Sequence, residues 1–93
     1  MRYEIQYSDE ALEQLKRLRA FDRATILDQI EQVLSVNPML VSKARIKQLR
    51  QPAPTQFRLR VGEFRVFYDL DEQTVSVIQI LTKEDSIKFL EEL

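Results

Sequence analysis

The stretch Phe57 to Ile80, FRLRVGEFRVFYDLDEQTVSVIQI, constrains this chain more than any other. Strand side chains alternate with period two. Phe57, Leu59 and Val61 therefore point one way, and Arg58 and Arg60 the other. Gly62-Glu63 supplies a turn, and Gly62 is the only glycine in the protein. A lone glycine between two β-patterned runs marks a backbone position needing positive φ or a bulge. Phe64 to Leu70 follows, rich in the aromatic and β-branched residues that suit a pleated surface. Asp71-Glu72-Gln73 is a polar turn. Thr74 to Leu81 is β-branched and nearly all apolar, which predicts a central strand buried on both faces.

The remainder reads as cover for one side of this meander. Tyr3, Ile5 and Tyr7 alternate with Arg2, Glu4 and Gln6, which predicts a half-buried strand. Ser8 stands as an N-cap, with Asp9 and Glu10 in the first turn, where the helix dipole favours anions. The predicted first helix runs from about Asp9 to Arg19. Asp22 caps a second helix carrying an apolar stripe of Ile26, Leu27, Ile30, Val33 and Leu34. That helix stops before Asn37-Pro38. The short link between the two helices predicts an antiparallel αα-hairpin. Ser42 to Arg50 reads as a short helical turn, with Ile46 and Leu49 inward and Lys43, Lys47 and Arg50 outward. Thr82 caps a final acidic helix through Leu93, which either packs on the sheet or moves as a flap. The predicted order is β-α-α-β-β-β-α. It makes a small two-layer α+β domain, a helical hairpin on a mostly antiparallel four-stranded sheet.

At 93 residues the chain fits one domain, spanning 1–93. Nothing in it resembles a signal peptide or a membrane span, which predicts a cytoplasmic protein with no membrane partner. The absence of cysteine and histidine removes disulfides, thiolate chemistry, imidazole acid–base work and the commonest metal ligands. Any catalysis falls to Arg, Lys, Tyr or carboxylates. Net charge is −1, but its distribution is uneven. Residues 43–68 hold seven Lys/Arg and one acidic residue, Glu63. Such a local excess makes a footprint for polyanions at a near-neutral total charge. Within it Lys43, Lys47 and Arg50 are substrate-binding candidates. The alternative is a solvated face, or pairing of Arg58 and Arg60 with Asp69 or Glu84 and of Arg65 in a buried ion pair.

Two stretches carry a family resemblance. YEIQYSDEALEQLKRL is similar to the opening strand and helix of the RelE/ParE superfamily, toxins of prokaryotic type II toxin–antitoxin modules. RIKQLRQPAPTQFRLRVGEFRVFYDLD resembles that superfamily's signature: a basic-Leu segment, a strand with basic residues, a Gly turn and an aromatic-Arg-Val-aromatic-Tyr strand. The resemblance covers almost the whole chain. It does not separate branches that cleave mRNA on the ribosome from those that inhibit DNA gyrase.

In the mRNA-cleaving branch the resemblance implies a metal-independent endoribonuclease without a cofactor, in which a 2′-OH attacks the adjacent phosphate. By position, Arg58, Arg60, Arg65 and Lys83 match its catalytic basic positions, and Phe89 falls where a tyrosine usually stands. A cognate antitoxin is the implied partner in every branch. The departures from the pattern bear on chemistry. Lysine is frequent where Arg58 and Arg60 stand, and arginine is a poor proton acceptor. Phe89 stacks on a base but has no hydroxyl. Lys83 lacks the bidentate fork of arginine. Lys47, Glu63 and Tyr68 remain as substitutes for proton transfer, with Tyr68 also expected in the core. Three readings follow: a ribosome-dependent mRNA endoribonuclease, a gyrase inhibitor, and an inactive toxin fold that only binds an antitoxin.

Overall fold

The computed structural model describes residues 2–42 and 45–91. In chain order the elements are β1 (Glu4–Tyr7), α1 (Asp9–Arg17), α2 (Ala20–Gln29), β2 (Ile46–Gln48), β3 (Phe57–Val61), β4 (Phe64–Asp71), β5 (Thr74–Thr82) and α3 (Lys83–Glu91). The end of α2 widens into a π-helical turn over Ile30–Leu34. The five strands form one sheet in the order β1-β5-β4-β3-β2. Only β1 and β5 run parallel.

The α+β class is as expected, but the sheet has five strands rather than four. The added strand is β2, cut from the segment read as a helical turn. Its inward residues were read correctly: Ile46 and Leu49 are buried. Spacing alone does not separate a one-turn helix from a three-residue strand. Pairing with β3 decides it, through Ile46↔Leu59, Lys47↔Arg58 and Gln48↔Phe57.

The register sorts the side chains. Ile46, Leu59, Val66 and Ile80 lie side by side across four strands, and all are buried. Phe57, Tyr68 and Val77 form the next row of this core face. Helices α1 and α2 cover it with Ala11, Leu15, Ile26, Ile30 and Leu34. Full burial of such side chains stabilises by roughly 1.5–3 kcal/mol each against exposure.

β4, not β5, is the central strand, and Arg65 to Tyr68 is its buried stretch. β5 is buried mainly on one face, at Val75, Val77 and Ile80. Val77 and Ile80 share a face despite their odd spacing because the register shifts: Phe67 pairs with Gln79, but Tyr68 pairs with Val77. Ile78 is the extra residue of a β-bulge. That bulge is why an apolar run mimicked a strand buried on both sides.

Beyond Tyr7 the edge of β5 loses its β1 neighbour, and Ser8 and the side chain of Gln14 replace it. Ser8 N–H donates to the Val77 carbonyl at 2.9 Å, and Ser8 Oγ donates to that of Ile78 at 2.7 Å. Ile80 N–H donates to Gln14 Oε1 at 2.6 Å. Ser8 also caps α1, accepting from Ala11 N–H at 3.0 Å. Helix α1 ends two residues short of expectation, with Leu18 already extended. Helix α2 begins at Ala20 with Arg19, not Asp22, at the N-cap, and Asp22 ion-pairs with Arg19 at 3.5 Å. Both tight turns carry positive φ at their first position: Gly62 at 56° and Glu72 at 53°.

Candidate nucleic-acid interface

The opposite face of the sheet has a different chemistry. One row is Lys47, Arg58, Phe67 and Gln79, and the next is Arg60, Arg65 and Leu81. Alternation along β3 turns Arg58 and Arg60 away from the core, as the sequence predicts. Pairing then adds Arg65 opposite Arg60 and Lys47 opposite Arg58. Four cations from three strands therefore share one surface.

None of these four ion-pairs with a described carboxylate, and neither does Lys83. Asp69 instead accepts a hydrogen bond from Gln56 N–H at 2.8 Å. The alternative pairing of Arg58 and Arg60 with Asp69 or Glu84 is therefore not found among the described residues, nor is a buried ion pair at Arg65. Arg65 is buried, but its Nη1 donates to the carbonyls of Gly62 and Phe64, each at 2.9 Å. It ties down the turn between β3 and β4 while keeping its charge on this face.

Arg58 carries the clearest electrostatic signature. Its Nε is buried without a hydrogen-bond partner. Burial, followed by the neighbouring charges of Arg65 and Arg60, lowers its pKa below the ordinary arginine value. An unmet donor among like charges is an arrangement that an anion relieves.

Helix α3 borders this surface. It packs on the sheet, and Phe89 meets Phe67 edge-on with ring centroids 5.0 Å apart. Thr82 Oγ1 caps it at Asp85 N–H, 3.1 Å away. Phe89 is thus on the arginine face, half-buried against Phe67. Lys83 opens α3, and its N–H donates to the Glu63 carbonyl at 2.8 Å, at the end of the sheet where Arg65 lies. Arg50 is exposed in the loop beyond β2 and belongs to neither row. Lys43 lies outside the described residues.

The candidate proton carriers separate clearly. Tyr68 is fully buried on the core face, its hydroxyl donating to the Pro38 carbonyl at 2.6 Å and its ring stacked on Phe57 at 5.4 Å. Burial raises its pKa. Glu63 sits in the β3–β4 turn. Of the three, only Lys47 stands on the arginine face. Sequence reasoning did not place Phe67 and Gln79 on this side of the sheet, where both are buried, Phe67 against Phe89 and Gln79 against Gln14. Along Phe64–Asp71 the apolar residues do not alternate, so only the register reveals which of them turn outward.

The arrangement can bind and neutralise phosphates and can present an aromatic edge to a base. The chain has no histidine, and among the described residues no carboxylate ion-pairs with these cations. Among the described residues no group of three or more metal-ligating acidic side chains forms, and no helix is long and apolar enough to cross a membrane.

Comparison with known proteins agrees with the architecture. The family model described as "ParE toxin of type II toxin-antitoxin system, parDE" matches residues 5–87. No curated protein matches the sequence significantly. Among solved structures, the chain is similar to one in the RelBE2 toxin–antitoxin complex of Mycobacterium tuberculosis. That match has 22% identity and a TM-score of 0.71, and it covers 88% of this chain and 99% of the other. A chain of the RelE–RelB complex of Pyrococcus horikoshii matches at 17% identity and a TM-score of 0.72, covering 89% and 97%. The isolated RelE toxin of E. coli matches at 18% identity and a TM-score of 0.64, covering 92% and 96%. At these identities the likeness is one of fold.

Proposed function

This chain belongs to the ParE toxin family of type II toxin–antitoxin systems, and on that premise we propose that it is a toxin acting on mRNA through its arginine-bearing sheet face. The reading is that of a RelE-like, ribosome-dependent endoribonuclease that inhibits translation and is neutralised by a cognate antitoxin. The observation that supports it is the surface of Lys47, Arg58, Arg60 and Arg65 without a described carboxylate partner. Such a surface has no evident use inside the protein other than Arg65's hold on its turn.

The chemistry it favours is stabilisation of charge. When a ribose 2′-OH attacks the adjacent phosphorus, negative charge accumulates on the non-bridging oxygens. Fixed cations are most effective where charge develops. The lowered Arg58 remains a donor, and its unpaired Nε has the hydrogen-bonding capacity that such an oxygen requires. Proton transfer is the weak step on this surface, because arginine is a poor proton acceptor. Cleavage then draws its proton acceptor from the ribosome or from water. The antitoxin reading draws on solved relatives that are toxin–antitoxin complexes.

A second reading, inhibition of DNA gyrase, draws on the family description itself, which is that of ParE. The discriminating experiment adds the purified protein to a cell-free translation reaction and maps mRNA 5′ ends, with a gyrase supercoiling assay run in parallel. New ends that appear only when ribosomes are present support mRNA cleavage. Intact mRNA with blocked supercoiling supports the gyrase reading. Unaffected mRNA and unaffected supercoiling leave a toxin fold that serves only to bind an antitoxin.

A further inference from the structure

The arginine rows continue past the strands that define them. Arg60 N–H donates to the Arg45 carbonyl at 2.7 Å, so Arg45 lies beside Arg60 just ahead of β2. Arg45, Arg60 and Arg65 thus occupy neighbouring chain segments, stepping about 5 Å at a time across the sheet. The Arg45 side chain does not stay over the sheet. Its Nη2 donates to Gln29 Oε1 at the end of α2. Between the two arginines and that helix lies a recess of about 350 Å³, lined by Thr25, Gln29, Arg45, Arg60, Val61 and Gly62.

Three properties of the recess point to an anion. Neither arginine ion-pairs with a described carboxylate. A guanidinium carries five N–H groups, and Arg45 spends one of them on Gln29. Gly62 presents bare backbone, with nothing within 4 Å of where a Cβ would stand. A tie between β2 and α2 alone would not explain two cations without a described carboxylate partner around open space. Because Arg60 is shared, the recess is continuous with the sheet face, which suits a chain of phosphates better than a lone phosphate ion.

We propose that this recess is a second phosphate site, on the rim of the sheet, taking a backbone phosphate of single-stranded RNA beyond the segment held by Arg58 and Arg65. The proposal rests on the reading of the sheet face as an RNA-binding surface. Arg45 supplies the charge, and Gln29 orients it.

The test is equilibrium binding of labelled RNA across a salt series, comparing a dinucleotide with a strand of about 12 nucleotides, within the usual site sizes of single-strand binders. Arg45→Gln is expected to weaken binding of the long strand about fivefold at 0.1 M salt and to flatten the log–log salt slope by about 0.7. Dinucleotide binding is expected to stay the same. Gln29→Glu gives Arg45 a carboxylate, preserves the tie to α2, and is expected to produce the same loss with an unchanged melting temperature. If Arg45→Gln changes neither affinity nor slope while Arg58→Gln weakens both RNAs, the rim site is overturned and the sheet-face reading survives. Equal losses for the dinucleotide and the long strand also overturn it, because Arg45 would then act on the face itself. A wild-type protein that binds neither RNA overturns the rim site, while the ribosome-dependent reading is decided separately by the mapping of mRNA 5′ ends.

Discussion

The two faces of one strand, β3, teach the most about this molecule. Phe57, Leu59 and Val61 are buried in the core that the helices cover, where removing apolar surface from water stabilises the fold. Arg58 and Arg60, one residue away in each direction, gain nothing comparable. Arg58 gives up solvent at Nε without a protein partner and lies among like charges. One face is arranged for stability, and the other retains a cost that binding an anion relieves. Proteins keep such locally unfavourable arrangements mainly at functional sites.

The contrast is broken most severely from the core side. Leu59→Ala, at a fully buried position, is expected to cost about 2–5 kcal/mol in urea unfolding. A cost below 1 kcal/mol would mean that β3 is not part of the core. Tyr68→Phe leaves the Pro38 carbonyl without its donor and is expected to cost about 1–3 kcal/mol. The same residue sets an alkaline limit. Its folded-state pKa is raised, so its contribution is fully present below the unfolded tyrosine value of about 10 and falls as pH rises above that value. Tyr68→Phe should therefore lose less stability than wild type on going from about pH 9 to about pH 11, across the start of that fall. Equal losses would exclude Tyr68 as the cause.

Phe89→Ala removes the ring that meets Phe67 and is expected to cost about 1 kcal/mol. It should also increase hydrogen exchange in α3, while exchange in α1 stays as it was. Glu72→Gly relieves a left-handed conformation in a non-glycine residue and is expected to gain somewhat under 1 kcal/mol after the entropy of glycine is subtracted. Arg58→Gln has the smallest expected effect on stability and the sharpest meaning. Its melting temperature should hold or rise while RNA affinity falls. A large drop in stability would show that Arg58 belongs to the fold rather than to a binding surface.

Much of this was legible before the fold was known. The alternation FRLRV assigned its two faces correctly, and Gly62 marked a turn that does require positive φ. Ser8 and Thr82 were recognisable as caps because capping depends on residues within one turn. Arg58 and Arg60 were singled out by alternation and Arg65 by the family resemblance, and the three lie on one face of the sheet. Arg50 was grouped with them only by charge, and no row of the sheet includes it.

The sequence by itself determined what short-range periodicity encodes: which residues of β3 are apolar, where α1 and α3 start, and that seven cations crowd into residues 43–68. Tertiary structure decided everything that depends on register. It made Ile46–Gln48 a strand, inserted the bulge at Ile78, and set Arg45 beside Arg60. It also bound Arg65 to its own turn and brought Phe89 against Phe67. The reason is physical. A side chain's face follows from its neighbours in sequence, but its companions on that face follow from which backbone groups pair across strands, and that pairing is settled only when the sheet closes on its core.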